Sequence, residues 1–262
     1  MSLTRRQVAL AALAAVPLRG GGVRRNRTLY IAGDSTAAQK YVIEAPETGW
    51  GMALPFFLRK GVKVSNQAIN GRSSKSFVDE GRLDAILAGI QPGDLLLIQF
   101  AHNDEKTADP TRYTEPWTTY QDYLRLYIDG ARGRGARPVL ATPVERRRFD
   151  AAGNALPTHG DYPAAMRALA QEERVALLDI EALSLALWQR LGVEETKVYF
   201  NWTDTEQDNT HFNPPGAIAV ARLVARELAR TRVLAPRELV RLHDEIPPSW
   251  ITWPEASDAS DA

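Results

Sequence analysis

Thr28-Leu29-Tyr30-Ile31-Ala32-Gly33-Asp34-Ser35-Thr36-Ala37 decides how the rest of the chain is read. Leu29 to Ala32 is a short, continuous apolar run, the pattern of a strand buried on both faces of a parallel sheet. It stops at Gly33-Asp34-Ser35-Thr36, where glycine permits a sharp turn and the short polar residues favour a turn or a helix start. Ligands of open α/β sheets gather beyond the carboxyl ends of the strands, so Ser35 stands where chemistry is expected. A plain strand-to-helix turn with a capping serine fits the same residues. Downstream residues have to decide between the two.

The 262 residues suffice for one domain with a large core. Formal net charge is +0, which gives no footprint for nucleic acid or an anionic membrane. Cysteine is absent, which excludes a thiol nucleophile, a disulfide frame and cysteine-bound zinc. At the N-terminus, Arg5-Arg6 precedes an Ala/Leu/Val run over 8–16, too short for a membrane-spanning helix. This resembles a twin-arginine export signal. It sets the expectation of a periplasmic or extracellular protein, with 1–27 as signal and linker, 28–252 as one domain and 253–262 as a flexible acidic tail.

Working outward, strands are expected over 29–32, 62–69, 95–100, 137–141 and 175–180. Helices are expected over 49–60, 79–90, 118–131, 162–174, 182–191 and 217–230. Pro55 falls inside the first of these and would kink it or sit in its first turn. The stripe Tyr120, Tyr123, Leu124, Tyr127 and Ile128 reads as core. Two polar connections, 105–117 and 145–157, read as surface loops, and Arg146-Arg147-Arg148 in the second as a solvated run. Strands alternating with helices specify a parallel sheet covered on both faces.

A serine nucleophile needs a base within hydrogen-bond reach and a group to orient that base. Of four histidines, His159, in a Gly/Pro-flanked loop, and His243, in a charged segment, read as solvent-exposed. His211 follows Asp208 by three residues, in a loop before the last helix. A carboxylate at that spacing can fold back onto Nδ1 and leave Nε2 free for Ser35. A loop histidine capping the next helix fits equally. Gly71 and Asn103 follow the second and third strands and offer a backbone N–H and a side-chain amide to an oxyanion, alongside the Ser35 N–H. Taken singly, each is also an ordinary turn residue. Trp50, Trp117 and Trp202 lie near these loops in sequence, as sugar platforms or as packing.

Gly33-Asp34-Ser35-Thr36, Gly71, Asn103-Asp104 and Asp208-x-x-His211 resemble the four ordered blocks of the SGNH (GDSL-type) hydrolases. Thr36, Asn70-Gly71-Arg72-Ser73-Ser74 and His102-Asn103-Asp104-Glu105 are most similar to the rhamnogalacturonan acetylesterase branch. The resemblance implies a flavodoxin-like three-layer α/β/α sandwich on a five-stranded parallel sheet and deacylation without metal or cofactor. It implies Ser35 as nucleophile, His211 as base, Asp208 as its orienter, and Ser35, Gly71 and Asn103 as oxyanion hole. Ala101 departs from the family's usual glycine, and its methyl is expected to narrow the pocket. The implied substrate is an acetylated plant polysaccharide, rhamnogalacturonan first, then another acylated carbohydrate such as xylan or an exopolysaccharide, or a small ester. From other classes, a metal-dependent phosphoesterase would draw on Asp34, Asn103-Asp104 and Asp208-x-x-His211, and a polysaccharide-binding protein would need none of the chemistry.

Overall fold

Strand β1 (Arg27–Gly33) lies second in a five-stranded sheet, between the edge strand β2 (Val62–Asn66) and the central β3 (Leu95–Gln99), with β4 (Arg137–Ala141) and β5 (Ala176–Leu178) beyond. The order is β2-β1-β3-β4-β5 and every pair is parallel. This computed structural model describes residues 26–256, so the expected export signal and the acidic end of the tail lie outside the described residues.

Alternation along the strands divides the core into two layers. Leu29, Ile31, Leu95, Leu97, Val139, Ala141 and Leu178 face one side, where α1 (Trp50–Ala53), the Trp188 face of α6 (Ile180–Glu195) and α7 (Pro214–Arg230) cover them. Ala32, Leu96, Ile98 and Leu140 face the other, under α2 (Ser74–Asp79), α3 (Arg82–Gly89), α4 (Gln121–Gly133) and α5 (Tyr162–Glu172). Burial on both faces is why the strands read as unbroken apolar runs. The chain is a three-layer α/β/α sandwich, as expected. Tyr120, Leu124, Tyr127 and Ile128 are all buried, and only Tyr123 of that stripe reaches the surface.

Several local expectations change. The helix over 49–60 is one turn, α1, followed by a 3₁₀ turn over Leu54–Phe57 with Pro55 near its start, because proline removes the donor a longer helix needs. The second strand ends at Asn66, whose side-chain amide donates to the Ala37 carbonyl at 2.8 Å, although the N–H groups of Gln67 and Ile69 still reach the Ile31 and Gly33 carbonyls of β1 at 2.9 and 3.0 Å. Trp253, assigned to the tail, donates through Nε1 to the Glu47 carbonyl at 2.8 Å, and Pro254 accepts from the Val42 N–H at 3.1 Å.

The segment carrying Asp208 and His211 is no loop. It is β7 (Gln207–Phe212), antiparallel to β6 (Phe200–Trp202). Between the pairs Phe200–Phe212 and Trp202–Gln207, β6 advances two residues and β7 five. The surplus residues bulge out of the ribbon, and bulges re-aim side chains.

Candidate active site

Gly33 ends β1, and the chain turns through Asp34, Ser35 and Thr36. The buried Asp34 carboxylate accepts from the Thr36 N–H at 3.0 Å and hydroxyl at 2.7 Å, locking the turn that carries Ser35 outward. Behind it, the Gly49-Trp50-Gly51 segment lies against the turn. The Trp50 N–H donates to the Thr36 carbonyl at 2.9 Å, and the Gly51 N–H to that of Ala37 at 3.2 Å. A Cβ on Gly49 would stand 2.0 Å from the Ala38 carbonyl oxygen, so only glycine allows this approach. Trp50 is fully buried and its Nε1 donates to Gln99 Oε1 at 2.8 Å. That corrects its reading as a sugar platform: it is a core residue under the serine turn.

The bulge in β7 aims His211 at that turn. Ser35 Oγ lies 2.9 Å from His211 Nε2, and His211 Nδ1 lies 2.7 Å from Asp208 Oδ2. The other Asp208 oxygen accepts from the backbone N–H groups of Thr210 (2.6 Å) and His211 (3.0 Å), which fixes the carboxylate toward the ring. With Nδ1–H given to Asp208, Nε2 holds the lone pair that accepts the Ser35 proton. Burial alone pulls the His211 pKa down, but the Asp208 hydrogen bond and the charges of Glu47 and Asp208 outweigh it and raise the pKa. His211 does not cap the next helix: Asn213 caps α7, with Oδ1 accepting from the Gly216 N–H at 3.3 Å.

Gly71 adopts a left-handed backbone, φ 74°, so a side chain there would be strained. Asn103 is buried, and one of its amide hydrogens goes to the Arg72 carbonyl at 3.0 Å, tying the loop after β3 to the loop containing Gly71. Next to it Asp104 accepts from the Ser74 N–H and hydroxyl and from the Thr114 hydroxyl. Burial dominates over those bonds and pushes its pKa up to about 7. The Ala101 methyl packs in the second core layer with Phe77 and Phe100, so it fills the interior rather than narrowing a cleft.

His159, expected at the surface, is buried. The 145–157 connection folds back on itself, with Thr158 giving its N–H (2.9 Å) and hydroxyl (2.6 Å) to Glu145, and covers the ring. His159 Nε2 donates to the Val144 carbonyl at 3.0 Å, and its ring stands edge-on to His102. His102 is buried too, and burial first, then the charges of His159, Arg146 and His211, hold its pKa well below the ordinary range. The arginine run is likewise not simply solvated. Arg146 pairs with Glu105, and the largely buried Arg147 lies over the Trp202 ring at 4.4 Å. Trp202 is thus covered by Arg147, and Lys197 is 5.3 Å from its centroid. Trp117 stays half-exposed with Nε1 on Asp161.

Beside Gly71 opens a cavity of ≈ 610 Å³ lined by Arg72, Lys75, Arg112, Asp79 and Glu80 among others. A larger one, ≈ 930 Å³, lies by the start of β1 and β2, at Arg27, Val62 and Asp94, and contains none of the residues above. Among the described residues no group of three or more His, Asp and Glu side chains is placed to hold a metal ion.

The profile of the GDSL-like Lipase/Acylhydrolase family matches residues 31–218. The chain belongs to this family. It is 46% identical over 206 residues to the rhamnogalacturonan acetylesterase RhgT of Bacillus subtilis, covering 75% of this chain and 87% of that one. A probable rhamnogalacturonan acetylesterase of the same organism, YesY, is also 46% identical, over 76% of this chain and 90% of its own length. The crystal structure of protein YxiM from Bacillus subtilis superposes with a TM-score of 0.71 at 34% identity, over 80% of this chain and 58% of that longer chain. Family membership and the hydrogen-bonded serine, histidine and aspartate converge on ester hydrolysis.

Proposed function

We propose that the protein is a serine esterase that removes O-acetyl groups from the pectic polysaccharide rhamnogalacturonan. The observation that carries this is the hydrogen-bonded chain Ser35–His211–Asp208 in a sequence 46% identical to an enzyme named for that reaction. Ser35 Oγ attacks the acetyl carbonyl while its proton passes to His211 Nε2. The negative charge forms on the carbonyl oxygen, where the N–H groups of Ser35 and Gly71 and the free amide hydrogen of Asn103 receive it. Collapse breaks the bond from carbon to the sugar oxygen, which takes the proton from His211 and departs as a hydroxyl, leaving an acetyl ester on Ser35. Water, deprotonated by His211, then attacks that ester, releases acetate and returns the proton to Ser35.

The cleft beside Gly71, with three cationic and two acidic side chains, supports a substrate that carries both hydroxyls and carboxylates. A polymer substrate and the Arg5-Arg6 signal pattern together support action outside the cytoplasm. Acetate release from acetylated rhamnogalacturonan, acetylated xylan and p-nitrophenyl acetate tests the reading. Preferential release from the pectic polymer is expected; release from the small ester alone would retain the esterase and discard the polymer.

A further inference from the structure

Lys40 is fully buried, an unusual place for an ammonium group. It is compensated on two sides: Nζ forms an ion pair with Glu47 and donates to Asn70 Oδ1 at 2.5 Å. These two partners belong to opposite halves of the active site. Asn70 precedes Gly71, the left-handed residue of the proposed oxyanion hole, and its amide donates onward to Glu44 at 2.7 Å. Glu47 faces the histidine, with Oε1 4.0 Å from His211 Nε2, on the ring nitrogen that Asp208 does not reach.

The approach of Glu47 is enforced by its backbone. Its carbonyl accepts from Trp253 Nε1 at 2.8 Å, and the next N–H, that of Thr48, donates to the carbonyl of Phe212, the neighbour of His211, at 2.8 Å. The strand carrying the base and the segment carrying Glu47 therefore move together. Lys40 follows the Ser35 turn by five residues, so one side chain joins the nucleophile turn, the oxyanion loop and the base.

We propose that Lys40 is a positioning residue for both halves of the catalytic centre, and that Glu47 is a second carboxylate supporting the His211 imidazolium. This rests on Ser35 and His211 being the reacting pair. When His211 takes the serine proton, its ring bears a positive charge that Asp208 meets at Nδ1 and Glu47 meets from the Nε2 side. Lys40 opposes that charge but holds Glu47 and Asn70 in place. Of the other ionisable neighbours, burial holds His102 neutral, and Asp34 is fully buried with Oδ1 accepting both bonds from Thr36 and Oδ2 facing no hydrogen-bond donor among the described residues.

The two roles separate experimentally by comparing Lys40→Met in two backgrounds. The His211 ring titration, followed by NMR in the full chain without substrate, should move to lower pH in Glu47→Gln. In the Glu47→Gln background Lys40→Met removes only a repelling charge and should move the titration to higher pH; in the parent it also releases Glu47, so the upward movement should be smaller or reversed. The acid limb of kcat/KM should move in the same directions. Asn70→Ala and Lys40→Met should also lower kcat by up to about 10²-fold with little change in KM, as expected for misplaced groups. If Glu47→Gln leaves the His211 titration unmoved, or Lys40→Met moves it equally in both backgrounds, the proposal is wrong. Should Lys40→Met fail to fold, Glu47→Gln and Asn70→Ala still decide it. Loss of the underlying reading would show separately, as turnover persisting in Ser35→Ala.

Discussion

Arg147 and Asn209 are joined twice. The Arg147 N–H donates to the Asn209 carbonyl at 2.8 Å, and its guanidinium donates to Asn209 Oδ1 at 3.1 Å. Asn209 lies between Asp208 and His211 in the bulge of β7, so this double link holds the segment that presents both side chains. The same guanidinium lies over Trp202 of β6 and donates to the Val193 carbonyl at 2.5 Å. Arg147→Ala should therefore lower kcat by about one to two orders of magnitude with a smaller change in KM, because the dyad is displaced rather than removed. Steady-state kinetics on an acetyl ester, beside a melting curve, checks this.

Trp50 gives the opposite signature. Its indole is buried beneath the Ser35 turn, so Trp50→Ala should cost about 3–5 kcal/mol of stability, the scale of an aromatic deleted from a core. KM for a polymeric substrate should stay close to that of the parent for whatever fraction remains folded. A selective rise in KM at unchanged melting temperature would restore Trp50 as a sugar contact.

Asn103 spends one amide hydrogen on the Arg72 carbonyl, and the proposed mechanism assigns the other to the reacting carbonyl. Asn103→Ala should lower kcat on the order of 10²–10³, the usual cost of one oxyanion donor. Part of that loss comes from freeing the Gly71 loop. Asn103→Asp, which supplies no amide hydrogen and adds charge where an oxyanion forms, should be at least as damaging.

The pH profile follows from His211. Its pKa is raised, against the pull of burial, by the Asp208 hydrogen bond and the Glu47 and Asp208 charges. Only the neutral ring accepts the Ser35 proton, so kcat/KM should fall as pH drops through a midpoint above the ordinary histidine value. Asp208→Asn removes the charge and replaces one carboxylate oxygen by an NH₂ donor, which no longer fixes the Nδ1–H tautomer. It should move that limb to lower pH and reduce kcat by about 10⁴-fold.

Much of this arrangement was legible in the sequence because it depends on local patterns. Doubly buried strands are continuous apolar runs, and turns at their carboxyl ends are written in Gly, Asp, Ser and Asn. Hence the sheet, Ser35, Gly71 and Asn103 could all be placed. Asp208 and His211 were legible as a pair but not as a bulged strand, because the partner strand Phe200–Trp202 has three residues and no alternation to read. His159 and Arg147 were misread for a related reason. Their burial comes from the long connection folding back on Glu145 and from the approach of β7, contacts distant in sequence. Lys40 and Glu47 carry no local signal beyond being charged residues near a tryptophan.

The central claim is an acetyl group carried on Ser35, and it can be weighed directly. The protein mixed with acetylated rhamnogalacturonan and quenched in acid within the first turnovers is digested, and the peptide containing Ser35 is examined by mass spectrometry. The account predicts a fraction of that peptide heavier by one acetyl group, localised to Ser35, and absent in Ser35→Ala, which should also release no acetate above background. Acetate release at the parent rate by Ser35→Ala would contradict it.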